Sequence, residues 1–251
     1  MIQAMIFAAG MGTRLKPITD SRPKALVEVG GRALLDLTLH RVSAAGAKHI
    51  VVNIHHFAPM IRQYLASVND FGMDIALSDE SERLLNTGGG LRHAAPLFLP
   101  DLPILIHNVD ILSNIDLSAF VACGADADAL LLVSNRSTTR YLLFDDDMRL
   151  VGWTNISTGE VRSPYSHLDV ESCHRLAFSG IHLFSPRLLP VLDIMQTDDF
   201  SIIDFYLRIC REHNIRGYNA HNLQLLDVGK QDTLAQAEDF IRQMPDNNSK
   251  Q

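Results

Sequence analysis

Apolar residues come in short blocks separated by polar, glycine-containing turns. Residues 4–8 form a compact apolar run stopped at Gly10, and 34–45 carry Leu35, Leu39 and Val42 at helical spacing as far as Gly46. The β-branched run 49–54 predicts a buried strand and 59–66 a second helix. A strand near 74–77, a helix from about 89 to 95 and a strand at 104–106 ending in Asn108-Val109-Asp110 continue the alternation. Strands alternating with helices imply a mostly parallel, doubly wound sheet. Beyond 129 the order changes. Residues 130–133, 141–144 and 150–153 read as consecutive strands joined by turns such as Asp145-Asp146-Asp147, so this portion is expected to be antiparallel. An apolar stretch at 176–184, a helix start at Pro186, a helix over 202–211, a strand near 225–228 and a helix after Lys230 complete the reading. The predicted class is α/β with a Rossmann-like, doubly wound sheet; residues 1–245 form one domain and 246–251 a flexible polar tail.

Composition narrows the function classes. The chain has 251 residues, 47% of them hydrophobic and 20% charged, which argues for a globular protein. A net charge of −7 provides no basic footprint, so nucleic acid is not the expected partner and a small molecule is. Cys123, Cys173 and Cys210 lie in no metal-ligand spacing, and a chain of this size needs no disulfide staples, which fits a reducing cytoplasm. The run at 1–9 lacks a basic leader and leads into a glycine loop, so it reads as a strand and not a signal peptide. No stretch approaches the roughly 20 apolar residues of a membrane span. Homo-oligomer formation is left open.

The strongest chemical signal is Ala8-Ala9-Gly10-Met11-Gly12-Thr13-Arg14, followed by Pro17 and Pro23-Lys24. Gly10 and Gly12 let backbone N–H groups approach a phosphate at the carboxyl edge of a sheet, and Arg14 and Lys24 add positive charge. Neither the dinucleotide fingerprint nor the Walker A spacing fits, so the loop points to a triphosphate held another way. Asp110 follows an apolar strand and projects into the crevice above the sheet. His55, His56 and His107 have no matching ligand set and read as ordinary loop and strand-end histidines.

The string from Ala8 to Lys24 resembles the sugar-1-phosphate nucleotidyltransferase family, whose signature runs Ala-Ala-Gly-x-Gly-Thr-Arg, a Pro, and then Pro-Lys. The resemblance implies the nucleotide-diphospho-sugar transferase fold with an antiparallel sugar-binding portion. It also implies transfer of a nucleoside monophosphate from a triphosphate, UTP or GTP, to a sugar 1-phosphate with release of pyrophosphate. By that resemblance Ala8, Ala9, Gly10, Met11, Gly12 and Thr13 wrap the nucleotide phosphates, Arg14 stabilises departing pyrophosphate and Lys24 meets the sugar phosphate. Asp110, with Val109 in place of a usual glycine, and Asp227 of Asp227-Val228-Gly229 would hold Mg²⁺; Leu225 stands where an aromatic residue is common. Two hard oxygen ligands plus phosphate oxygens and water suit that ion. Glu80, Thr87 and Gly88 would approach the nucleobase and ribose, and Asn108, Ser179 and Gly180 the sugar phosphate and sugar. The Glu-Lys-Pro string of some relatives is absent, with Glu171 an uncertain substitute. The three-glycine form Gly88-Gly89-Gly90 resembles N-acetylmuramate 1-phosphate uridylyltransferases and short mannose-1-phosphate guanylyltransferases. With no C-terminal β-helix, the chain resembles the bare catalytic domain. Two alternatives are a cytidylyltransferase for a phosphorylated alcohol such as phosphocholine, and a catalytically silent nucleotide-sugar-binding regulator.

Overall fold

A strand covered on both faces has to be apolar at successive positions. In β1 (Ile2–Phe7), Ile2, Ala4 and Ile6 enter one buried cluster and Met5 enters another. The computed structural model of the protein describes residues 1–243, so the expected tail at 246–251 lies outside the described residues. After β1 come a small hairpin, β2 (Glu28–Val29) and β3 (Arg32–Ala33), then α1 (Leu34–Ala44), β4 (Ala47–Ile54), α2 (Ala58–Ser67), β5 (Asp74–Asp79), α3 (Asn86–Ala94) and β6 (Ile104–Asn108). β5, β4, β1 and β6 lie side by side in that order, all parallel. α1 and α2 cover one face through Leu35, Leu39, Val42 and Ile61, and α3 covers the other through Leu91 and Ala94. Strand order reverses at β1, which opens a crevice at its carboxyl end.

The next elements are β7 (Ile111–Ser113), α4 (Leu117–Ala122), β8 (Ala129–Ser134), β9 (Arg140–Phe144), β10 (Leu150–Asn155), β11 (Glu160–Arg162) and β12 (His174–Phe184). β12 runs antiparallel to β6 on one side and to β8 and β9 on the other, and β9, β10 and β11 continue as an antiparallel meander. The chain ends with α5 (Ile202–Ile209), β13 (Ile215–Asn219) parallel to β8, β14 (Leu225–Asp227) and α6 (Asp232–Gln243). Among the described residues the main sheet therefore has ten strands, parallel from β5 to β6 and antiparallel from β6 through β12 to β11; β8 does not pair with β9 as its neighbour in sequence but lies antiparallel to β12 and parallel to β13. β14 stands outside it and pairs with β7.

Two elements differ from expectation for local reasons. The helix expected from about 89 begins at Asn86, because its first free amides find an acceptor outside the helix: Gly88 and Gly89 N–H donate to the Phe200 carbonyl at 2.9 and 3.2 Å. In return the Ile202 N–H, at the start of α5, donates to the Thr87 hydroxyl at 2.9 Å. The helix expected at Pro186 is two short 3₁₀ turns, Pro186–Leu188 and Pro190–Ile194, since Pro190 cannot donate the hydrogen bond that would continue a helix.

The contact between α3 and the strap before α5 is close enough to require glycine. A Cβ on Gly89 would lie 1.9 Å from the Asp198 carbonyl oxygen. Gly89→Ala is expected to cost about 2–3 kcal/mol of unfolding free energy by overpacking, read by urea denaturation; an unchanged midpoint would show that the strap yields freely.

His107 and His182 are buried imidazoles, each pushed down to about 3, in both cases chiefly by loss of solvation. His182 shares a hydrogen bond with the buried Tyr206 hydroxyl at 3.1 Å. The unfolded chain takes up protons at these positions below about pH 6.5 whereas the folded chain does not. Stability is therefore complete above that pH and falls as pH drops toward 3, by up to about 1.4 kcal/mol per pH unit for each imidazole. Denaturant titrations from pH 7 to 4 are expected to show this slope, and His182→Gln is expected to remove one proton's share of it.

Candidate active site

The carboxyl ends of four parallel strands meet at one edge. Phe7 of β1 is in register with Asn53 of β4 and with Asn108 of β6, while Asn53 pairs with Ser78 of β5. The phosphate-loop candidate begins one residue beyond this rung, and Glu80 and Asp110 follow β5 and β6 at the same edge. β12 adds Gly180 from the antiparallel side: Ile181 is in register with His107, and a Cβ on Gly180 would sit 2.8 Å from Asn108 Nδ2. Gly180 has φ of 74°, a conformation that favours glycine.

The loop is tightly held at its base and open at its tip. Ala8 and Ala9 N–H donate to Asn53 Oδ1 at 2.7 and 3.2 Å. Gly12 has φ of 62°, and a Cβ there would press on Thr19 and Lys24 at 2.8 and 3.0 Å. Its carbonyl accepts from the Thr19 hydroxyl at 2.8 Å. A Cβ on Gly10, by contrast, would meet nothing within 4 Å, so that side of the loop faces open space. Together these residues bound a cavity of about 640 Å³ lined by Ala9 to Arg14, Lys24, Asn53, Glu80, Asn86, Thr87, Asn108, Asp110 and Gly229, among others.

Charge is concentrated at one end of the cavity. The Lys24 ammonium, on a nearly buried side chain, is paired with the Asp110 carboxylate. Asp227 is brought to the same place by β14, whose Asp227 is in register with Ile111 and whose next residue, Val228, donates its N–H to the Asp110 carbonyl at 2.8 Å. Burial raises the Asp227 pKa above the usual carboxylate range; the charge of Asp110 raises it further, against the opposing pull of Lys24 and Arg14. Arg14 approaches Asp227 at 3.9 Å while its side chain stays 60% exposed, which leaves the guanidinium free to meet a ligand. Gly229 permits this crowding, since a Cβ would lie 2.6 Å from Asp227 Oδ1 and 2.8 Å from Arg14 Nη2.

This donor set fits a divalent cation. Burial first and the neighbouring Asp110 charge second disfavour the ionised form of Asp227, and a hard cation between two carboxylates offsets both effects. Among the described residues no group of three or more His, Cys, Asp or Glu side chains is placed to hold a metal ion. His55 Nδ1 lies 2.6 Å from the Glu80 carbonyl oxygen and His107 Nδ1 2.7 Å from that of Asn108.

The structure therefore brings Ala9, Gly10, Met11, Gly12, Thr13, Arg14, Lys24, Glu80, Thr87, Asn108 and Asp110 to one cavity. Ala8 lies just behind the wall, and Asp227 beside Asp110. Gly88 is turned to Phe200, where a Cβ would meet the ring at 2.4 Å. Ser179 is buried in β12, its hydroxyl without a hydrogen-bond partner among the described residues. Val109, in place of the usual glycine, is a core residue whose N–H donates to Phe7 O and whose carbonyl accepts from Thr38. Sequence reasoning missed Asn53. A buried amide closing a β-branched strand was the available signal.

Residues 3–244 match the nucleotidyl transferase family. The chain is 36% identical over 197 residues to N-acetylmuramate alpha-1-phosphate uridylyltransferase of Caulobacter vibrioides, covering 74% of this chain and 76% of that one. It is 32% identical over 187 residues to the protein of the same name in Neisseria meningitidis, covering 74% and 77%. Among solved structures it superposes on a UDP-glucose pyrophosphorylase complexed with UDP-glucose at a TM-score of 0.75 and 14% identity, covering 96% and 99%. The inositol-1-phosphate CTP transferase of T. maritima gives a TM-score of 0.74 at 14% identity, covering 98% of each chain. A phosphate-type loop, paired carboxylates and two cations on one edge of this fold agree with a match that spans almost the whole sequence: the chain belongs to the sugar-1-phosphate nucleotidyltransferase family.

Proposed function

We propose that the protein transfers a nucleoside monophosphate from UTP to a sugar 1-phosphate, with N-acetylmuramate 1-phosphate the leading acceptor, and releases pyrophosphate. The observation that carries this reading is the convergence of Arg14, Lys24, Asp110 and Asp227 at one end of a cavity walled by glycine-loop backbone. The acceptor and base follow the two relatives named above, whose similarity extends over three quarters of their length. A second reading, guanylyl transfer to mannose 1-phosphate, is favoured by a 30% identical mannose-1-phosphate guanyltransferase of Neurospora crassa, of which the chain covers 40%.

In this reading an oxygen of the sugar phosphate attacks the α-phosphorus in line, the α–β bridging bond breaks, and its electron pair leaves with pyrophosphate. A phosphate monoester is already nucleophilic at neutral pH, so the protein supplies position and charge and no general base. Lys24, already oriented by Asp110, receives the sugar phosphate. Arg14, exposed and loosely tied, closes on the departing pyrophosphate. The Gly10 side of the loop lets backbone amides reach the triphosphate without a Cβ in the way. Asp110 and Asp227 would hold Mg²⁺, which when bound neutralises charge developing on the phosphate oxygens. Leu84, Asn86 and Thr87 line the same cavity and in this reading face the nucleoside.

Arg14→Ala and Asp110→Ala are each expected to lower kcat by about a hundredfold or more, near 3 kcal/mol of transition-state stabilisation. Near-normal turnover in either folded variant would remove the role given to it. Pyrophosphate release from UTP, GTP and CTP, each with several sugar 1-phosphates and with phosphocholine, is expected to be fastest for UTP with an N-acetylmuramate acceptor. A preference for CTP with phosphocholine would make the protein a cytidylyltransferase, and nucleotide-sugar binding without turnover would make it a silent regulator. Removal of divalent ions by chelation is expected to abolish turnover, with recovery on adding magnesium.

A further inference from the structure

Asn53 and Glu80 are both buried, yet neither carries out a step of the reaction described above. Asn53 Oδ1 accepts from Ala8 and Ala9 N–H, and its Nδ2 donates to Glu80 Oε1 at 2.7 Å. Glu80 Oε2 in turn accepts from Leu85 N–H at 3.1 Å. One continuous chain of hydrogen bonds thus joins the base of the glycine loop to the segment leading into α3, across the carboxyl ends of β1, β4 and β5. The third glycine of Gly88-Gly89-Gly90 makes room for it, because a Cβ on Gly90 would lie 2.7 Å from Glu80 Oε1 and 3.2 Å from Asn53 Nδ2.

We infer that Asn53 and Glu80 are positioning residues that hold the phosphate loop and the nucleoside-side segment in fixed relation, and that the Glu80 carboxylate acts through Asn53 and Leu85 instead of reading the base. Both oxygens of this nearly inaccessible carboxylate are already engaged by protein donors. The amide has the polarity the task demands: its oxygen serves two backbone donors and its nitrogen serves the carboxylate. A buried, fully connected network of this kind rigidifies what it touches, and a single mismatched partner leaves a polar group unpaired. The kinetic part of this inference rests on the proposed triphosphate site; the structural part does not.

The network predicts a reciprocal exchange. Asn53→Asp sets two carboxylates face to face, and Glu80→Gln leaves one acceptor where Asn53 and Leu85 need two. Combined, the two substitutions restore every bond, because the new amide donates to the new carboxylate, which still accepts from Ala8 and Ala9. Each single variant is expected to raise KM for the nucleoside triphosphate and speed hydrogen exchange of the Ala8 and Ala9 amides by about tenfold or more, with KM for the sugar 1-phosphate little changed. The double variant is expected to return both readouts to within about threefold of the wild type. Gly90→Ala, which leaves both partners chemically intact, is expected to reproduce the Glu80→Gln signature and serves if a charge variant does not fold. Wild-type exchange and KM in Glu80→Gln and Gly90→Ala, or a double variant no better than its worse parent, would overturn the inference. A wild-type protein that releases no pyrophosphate from any substrate pair would overturn the proposed function instead, while the exchange measurement still decides the network.

Discussion

Two aspartates of like charge, 117 positions apart in a chain of 251, share one partly buried corner, and much of the architecture serves to keep them there. Left alone, Asp110 and Asp227 would separate or one would take up a proton. The β7–β14 ribbon denies the first outcome, since Asp227 pairs opposite Ile111 and Val228 N–H is bonded to the Asp110 carbonyl. Lys24 opposes the second by pairing with Asp110. Two cations thus face two carboxylates, Lys24 with Asp110 and Arg14 with Asp227. The second pair is the looser one, because Arg14 stands 3.9 Å from Asp227 on a side chain that is 60% exposed.

The sheet supplies the platform for this corner. Its central strands are apolar on both faces and cannot shift register without exposing one of two cores. The rung formed by Asn53, Phe7 and Asn108 accordingly sets the places of the loops that follow each strand. α3 and α5 begin by satisfying each other's free backbone groups across the Phe200 strap, which ties the wall at Asn86 and Thr87 to the second core. Rigid elements thus carry the buried polar groups, whereas the exposed Arg14 has a long contact with Asp227 as its one ion pair among the described residues.

Glycine has two distinct uses around the cavity. Gly10 keeps a surface open, since a Cβ there would meet nothing. Gly12, Gly89, Gly90 and Gly229 instead allow protein groups to close against one another, with a prospective Cβ at 3 Å or less from a neighbour in every case. A substitution at Gly10 would therefore project into open space, whereas one at Gly90 would press on Glu80 and Asn53 and one at Gly229 on Asp227 and Arg14.

Local chemistry was legible in the sequence. Alternating strand and helix periods gave the parallel centre, the run of consecutive strands gave the antiparallel portion, and the Ala8 to Lys24 string marked the glycine loop, because each depends on residues a few positions apart. The resemblance also paired Asp227 with Asp110 as metal ligands, though nothing near either in the chain says how they meet. Tertiary structure alone decided that the β7–β14 ribbon brings Asp227 to Asp110, that Asn53 anchors Ala8 and Ala9, and that Gly88 turns to Phe200 while the third glycine of the triplet makes way for Glu80. Those outcomes depend on strand register and on distant backbone approaching within van der Waals contact. Neither leaves a periodic trace in sequence, because the partner that completes each contact lies from 10 to 117 residues away.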